Sequence, residues 1–127
     1  MPRAVEELLR YAQTNVQANL RVVTEDVELG DVLLREGDAV MAVNSSANHD
    51  DAVFDAPDRL DLDRSHNPHL AFDHGLHYCV GAPLARVQLQ EAVAGLLRRL
   101  PTLRAAAPPA WKTGLKTRAP RSLPVTW

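Results

Sequence analysis

The sequence has 127 residues, 46% hydrophobic and 24% charged, with a formal net charge of -2 and a pI near 6.2. These values describe an ordinary globular chain of one domain at most and exclude disordered and fibrous classes. They give no global electrostatic reason to expect nucleic acid or an anionic membrane as partner.

Pro2 followed by AVEELLRY predicts a helix from its first turn, with Val5, Leu8, Leu9 and Ala12 on one face and Glu6 and Glu7 near its positive end. From Leu20 the pattern shortens to RVV, VEL, VLL and AVMAV, separated by Glu25-Asp26, Gly30-Asp31 and Glu36-Gly37-Asp38, which predicts a small sheet of hairpins. The longest apolar run is a few residues, as at Ala39 to Val43, too short for a bilayer. Met1 to Arg10 carries acids where a secretory signal needs apolar residues, so a cytoplasmic protein is expected. Asn44 to Phe72 is rich in Asn, Asp, His and Pro and predicts a long irregular segment, of the kind that is usually functional. Pro83 opens the strongest helix, whose apolar stripe of Ala85, Leu89, Ala92, Val93, Leu96, Leu97 and Leu100 ends at Pro101; Arg86, Gln88, Glu91, Arg98 and Arg99 lie on its other face. A Pro- and Ala-rich connection leads to two expected strands, around Gly114 and at Leu123 to Thr126.

A single cysteine cannot form an internal disulfide, so Cys79 is a buried small hydrophobe, a reactive thiol or a ligand. It closes the stretch F-D-H-G-L-H-Y-C-V-G, residues 72 to 81, immediately before the long helix. The partial positive charge of a helix start favours a thiolate. Gly75 can take positive φ so that the loop folds under a flat ligand, Gly81 leaves room near the sulfur, Phe72 can shield the ligand from water, and His77 offers a donor to an acidic edge group.

These residues resemble the cytochrome P-450 family, whose cysteine loop reads F-x-x-G-x-H/R-x-C-x-G, matched by Phe72, Gly75, His77, Cys79 and Gly81. Further matches follow in the family's order: Glu7 and Arg10 for its E-x-x-R helix, Arg21 for an arginine that contacts a haem propionate, Pro57-Asp58-Arg59 for its meander, and Leu123-Pro124-Val125 for its last strand. The resemblance implies an α+β carboxyl-terminal fragment of that mainly α fold, in the order E-x-x-R helix, small antiparallel sheet, meander, cysteine loop, long proximal helix and terminal hairpin. Residues 1–127 would form a single partial domain with the distal half absent.

By the same resemblance Cys79 binds the iron of haem b as thiolate. Arg21, Phe72, Gly75, His77 and Gly81 serve the cofactor, and Glu7, Arg10 and Arg59 form a structural triad. Val16 to Leu20 and Leu115 to Arg118 correspond to segments that line a cavity for a small-molecule substrate. Arg86, Arg98 or Arg99 would draw an acidic ferredoxin or flavodoxin to the proximal face, and a separate distal half or self-association would complete the molecule. No catalytic residue is identified, because the family's oxygen-handling acid and threonine lie upstream of the E-x-x-R helix. Asp73 departs from the family's frequent glycine, Gln88 from a glutamate, and Ala12 to Val16 from a Pro-rich step.

Two other readings stand beside this haem-thiolate monooxygenase of soluble bacterial type. One is a non-catalytic remnant or binding protein that keeps the proximal fold. The other is a zinc-binding domain using His66, His69, His74, His77 and Cys79, although their spacing matches no familiar zinc module.

Overall fold

A computed structural model describes residues 1–14, 19–113 and 118–127. Helix α1, Pro2–Tyr11, starts on a proline whose missing N–H is no loss in a first turn, and ends where the Ala12 amide donates to the Leu8 carbonyl at 2.9 Å. Strand β1, Asn19–Val22, pairs antiparallel with β4, Ala39–Ala42, so that Leu20 faces Met41 and Arg21 faces Val40. Between them β2, Val27–Leu29, and β3, Val32–Leu34, form a hairpin whose turn places Gly30 at φ 59°. The four expected strands are thus present, as two separate two-stranded ribbons.

After a short helix α2, Asn44–Ala47, the chain runs through turns to the long helix α3, Ala82–Arg99. Helices α1 and α3 pack on each other. Two further ribbons follow, β5 (Arg104–Ala105) with β8 (Val125–Thr126) and β6 (Ala110–Trp111) with β7 (Pro120–Ser122). The strand expected around Gly114 falls on residues outside those described. Strand β5 falls in the Pro- and Ala-rich connection, where no strand was expected.

The centre differs more from expectation. On α1 only Val5 of the expected apolar face is fully buried, and its companions are the charged Glu7 and Arg10. Among the described residues the other buried apolar ones are Phe54 and Ala82, and Asn48 is the third buried polar one. Burying an ion pair is stable only when its remaining hydrogen-bonding capacity is met, and here it is. Arg10 donates from Nε and Nη2 to the two Glu7 carboxylate oxygens, both at 2.8 Å. It also donates to the carbonyls of Asn48 at 2.7 Å, Pro57 at 2.8 Å and Arg59 at 3.2 Å. Glu7 further accepts from the Asp61 amide at 3.0 Å, Arg64 Nε at 3.1 Å and Asn67 Nδ2 at 3.1 Å. The guanidinium planes of Arg10 and Arg64 lie 5.2 and 5.9 Å from the Phe54 ring. Asn48 continues the web by accepting from the Leu70 amide at 2.7 Å and donating to Gln13 at 2.8 Å.

The third member of the expected triad, and its second guanidinium, is therefore Arg64, and Arg59 is corrected to a backbone role. A turn closed by the Arg59 amide on the Ala56 carbonyl directs the Arg59 carbonyl inward and leaves the residue itself exposed. Arg64 returns to Glu7 with its side chain 9% exposed.

Burial alone would push the Glu7 carboxyl up, but hydrogen bonds from Arg10, the Asp61 amide and Arg64, with the Arg10 charge, lower it from 4.5 to about 2. A carboxyl lowered on folding stabilises the fold above its unfolded value and loses that stabilisation as pH falls through its folded one. On the order of 3 kcal/mol should thus disappear between pH 4.5 and about 2, visible as falling urea midpoints, and Glu7→Gln should flatten that slope. In the same assay at neutral pH, Arg64→Ala should cost about 2 kcal/mol, whereas Arg59→Ala should stay within about 0.5 kcal/mol.

Candidate functional site

Residues 72 to 81 carry the cysteine between the turns and α3. The loop is closed by the Cys79 amide donating to the Phe72 carbonyl at 2.9 Å, and inside it Gly75–His77 makes a 3-10 turn. Two residues take left-handed backbone, Gly75 at φ 69° and Asp73 at φ 65°. Asp is among the few side chains that tolerate this conformation, and Asp73 Oδ1 accepts the His74 amide at 2.9 Å. The Asp-for-Gly departure thus fits the backbone. The Cys79 carbonyl accepts the Ala82 amide at 3.1 Å, joining the loop to the first turn of α3.

Cys79 is exposed, flanked by Leu76 at 103% and Val80 at 98% exposure. A Cβ on Gly81 would meet the Cys79 sulfur at an ordinary 3.8 Å, so the sulfur itself does not demand glycine there. The loop therefore offers one soft sulfur donor on an apolar rim. That donor set fits an iron whose other ligands come from a flat apolar macrocycle. No three His, Cys, Asp or Glu side chains that could hold a metal ion come together among the described residues. His69 points to Glu6, and His66, His74 and His77 are exposed.

The remaining expected cofactor residues divide in two groups. Arg21 stands exposed on β1 and His77 exposed in the 3-10 turn, and neither side chain has a partner among the described residues, which leaves the Arg21 guanidinium and a His77 ring nitrogen available to acidic groups. The Phe72 ring is half-buried and turned to its own chain, 4.8 Å beneath the Arg86 guanidinium and 6.2 Å from the His69 ring. Of the expected substrate-lining segments, Val16 to Ala18 and Leu115 to Thr117 lie outside the described residues. Leu20 is exposed, and Arg118 stacks 4.3 Å from the Trp111 ring.

A second polar cluster ties the loop to α1. Arg86 on α3 donates to both oxygens of Glu6, from Nε at 2.8 Å and Nη2 at 3.0 Å, and from Nη1 to the Tyr78 hydroxyl at 2.9 Å. His69 Nε2 lies 3.0 Å from Glu6 Oε2, while its Nδ1 accepts the Ala71 amide at 3.2 Å, which makes Nε2 the protonated nitrogen. Burial raises the Glu6 carboxyl, but Arg86 and His69 outweigh it and hold it below the usual range; the Glu6 and Tyr78 hydrogen bonds push Arg86 higher still, against burial. Arg86 is thus committed inside the protein and is corrected from the docking set, whereas Arg98 and Arg99 are exposed. Sequence gave no signal for Glu6, His69, Tyr78 and Arg86 as a unit, because up to 80 residues separate the partners.

A model of the cytochrome P-450 family matches residues 1–105. Nocardicin C N-oxygenase of Nocardia uniformis subsp. tsuyamanensis is 55% identical over 131 residues, covering 100% of this chain and 33% of that protein. Mycinamicin IV hydroxylase/epoxidase of Micromonospora griseorubida is 47% identical over 131 residues, with the same coverage of 100% and 33%. The crystal structure of the LnmA cytochrome P-450 hydroxylase from the leinamycin biosynthetic pathway of Streptomyces atroolivaceus S-140 aligns with a TM-score of 0.91 at 52% identity, over 99% of this chain and 34% of that one. The chain spans about a third of the length of these relatives.

An exposed sulfur should be open to reagents in the folded state. One thiol per chain should react with a disulfide reagent under native conditions, within about tenfold of the rate in urea; protection by several orders of magnitude would contradict the exposed placement.

Proposed function

Because the chain belongs to the cytochrome P-450 family, we propose that its cysteine loop serves a haem monooxygenase, with Cys79 as the thiolate ligand of haem b. The observation that carries this reading is the exposed Cys79 on the rim made by Leu76 and Val80, presented by a loop that its own backbone closes. When bound, such a haem supplies oxygen activation, which the sulfur ligand favours by donating electron density.

The chain's own residues bind and orient. The Arg21 guanidinium and the His77 ring, both exposed and without a partner among the described residues, are donors suited to the cofactor's two carboxylates. The Phe72 carbonyl holds the Cys79 amide, which keeps the sulfur's backbone in one conformation. Glu7, Arg10 and Arg64 fix the turns that lead into the loop. The apolar Leu76 and Val80 would lie against the macrocycle and keep water from the sulfur.

Residues 1–127 are read as a single partial domain, and turnover as a property of the whole protein that includes a distal part. Its substrate is taken to be a small organic molecule, in keeping with relatives named as an N-oxygenase and a hydroxylase/epoxidase. A ferredoxin or flavodoxin would deliver electrons at the face bearing Arg98 and Arg99. Among the described residues no helix is long and apolar enough to cross a membrane, and a cytoplasmic location is proposed.

The test is spectroscopic. Haem-loaded protein, reduced and treated with carbon monoxide, should give the difference spectrum of a thiolate-ligated haem, and Cys79→Ala should abolish it. An unchanged spectrum in Cys79→Ala would remove Cys79 as ligand.

A further inference from the structure

Cys79 has two structural neighbours that decide where its sulfur stands. Phe72 accepts the hydrogen bond of its amide, and Tyr78 precedes it in the chain. Both are in contact with one side chain, Arg86: the guanidinium face lies 4.8 Å from the Phe72 ring, and Nη1 donates to the Tyr78 hydroxyl at 2.9 Å. The remaining edge of the guanidinium, Nε and Nη2, is clamped by Glu6 on α1 at 2.8 and 3.0 Å. Glu6 is in turn restrained by His69 at 3.0 Å.

We propose that Arg86 is the positioning residue of the cysteine loop, joining both of its ends to α1 and so setting the stance of the Cys79 sulfur toward a bound haem. The last clause rests on the reading of Cys79 as the iron ligand; the grip on the loop does not.

Three properties of arginine make the arrangement possible. Its fork matches a carboxylate at two points, its plane stacks on an aromatic ring, and it keeps a further N–H for a third partner, whereas an ammonium is a point charge with no plane. Helix side chains lean toward the amino-terminal end of their helix, so from α3 Arg86 reaches back over the loop that precedes it. With a carboxylate, a phenol and a ring fixing three directions, the guanidinium has one orientation, and a shift of the loop breaks at least one of these contacts.

The test uses the full chain with and without haem, and Arg86→Gln, Arg86→Lys and Tyr78→Phe. In haem-free protein, amide exchange is followed at Cys79, whose N–H bonds to Phe72, and at Asp61, whose N–H bonds to Glu7 and reports the rest of the fold. Arg86→Gln should speed Cys79 exchange about tenfold with Asp61 unchanged, as expected for loss of hydrogen bonds to a charged group. Arg86→Lys should restore only part, and Tyr78→Phe, which leaves the Glu6 clamp intact, should give a smaller increase in the same direction. In haem-loaded protein the variants should convert part of the thiolate-type carbon monoxide spectrum to the thiol type. Unchanged Cys79 exchange in Arg86→Gln, or a rise matched at Asp61, overturns the proposal; if Arg86→Gln does not fold, Tyr78→Phe decides by the same criterion. A wild-type chain with the expected exchange pattern but no thiolate spectrum would instead defeat the haem reading and leave the grip standing.

Discussion

The buried pair of Glu7 and Arg10 governs the rest of the structure. Both side chains are wholly removed from solvent, and an ion pair in that position carries a desolvation penalty that its mutual attraction does not by itself offset. The fold meets this by surrounding the pair with partners drawn from distant chain: the Asn48, Pro57 and Arg59 carbonyls on one side, and the Asp61 amide, Arg64 and Asn67 on the other. The long segment with almost no regular structure is therefore held by α1 at half a dozen points. Apolar burial could not do this, since among the described residues Val5, Phe54 and Ala82 are the buried hydrophobic ones. Charge recognition is also more directional than hydrophobic contact, so the turns are held in one arrangement and not merely close by.

Consecutive residues on a helix point about 100° apart, and α1 uses that geometry at Glu6 and Glu7. Glu7 faces the turns, and Glu6 faces α3 and the cysteine loop through Arg86 and His69. Two neighbouring carboxylates thereby place two different segments relative to the same rod. The cysteine loop inherits its position from this division: its start follows the turns that Glu7 fixes, and its end runs into the helix that Glu6 clamps. A sulfur with the ligand role proposed for Cys79 must be placed within about half an ångström to be useful, and rigid helices with interlocked polar partners achieve that better than a free loop.

The order of elements was legible in the sequence because it rests on local signals. Pro2 and Pro83 mark helix starts, Pro101 a helix stop, and the apolar triplets between turn residues mark the four ribbon strands. The cysteine loop was legible for the same reason, its glycines and cysteine being fixed by short spacing. What escaped was pairing over distance. Arg59 was taken for the triad because it sits in a recognisable triplet, but which of two arginines in an irregular segment returns to Glu7 depends on turn geometry that no periodicity records. Arg86 was placed with the docking arginines on the open face of its helix, and only folding brings Glu6 to it. The terminal ribbons, two and three residues long, are too short to show a period, which is why β5 was missed.

The apolar surface behaves differently from the polar web. On α3, Leu96 and Leu97 of the expected core stripe are 47% and 60% exposed, and the β1–β4 ribbon leaves Leu20, Val22 and Met41 open. The residues described here thus bury little of the hydrophobic surface that their periodicity advertises, while satisfying nearly all the hydrogen bonds of their buried charges. The two kinds of interaction carry different information. Hydrophobic faces say that an element belongs against something apolar without specifying what or in which register, whereas Glu6, Glu7, Arg10, Arg64 and Arg86 find their partners within this one chain. The relatives that this chain matches are about three times its length, and the polar partners that join the cysteine loop to the first helix all lie within this third.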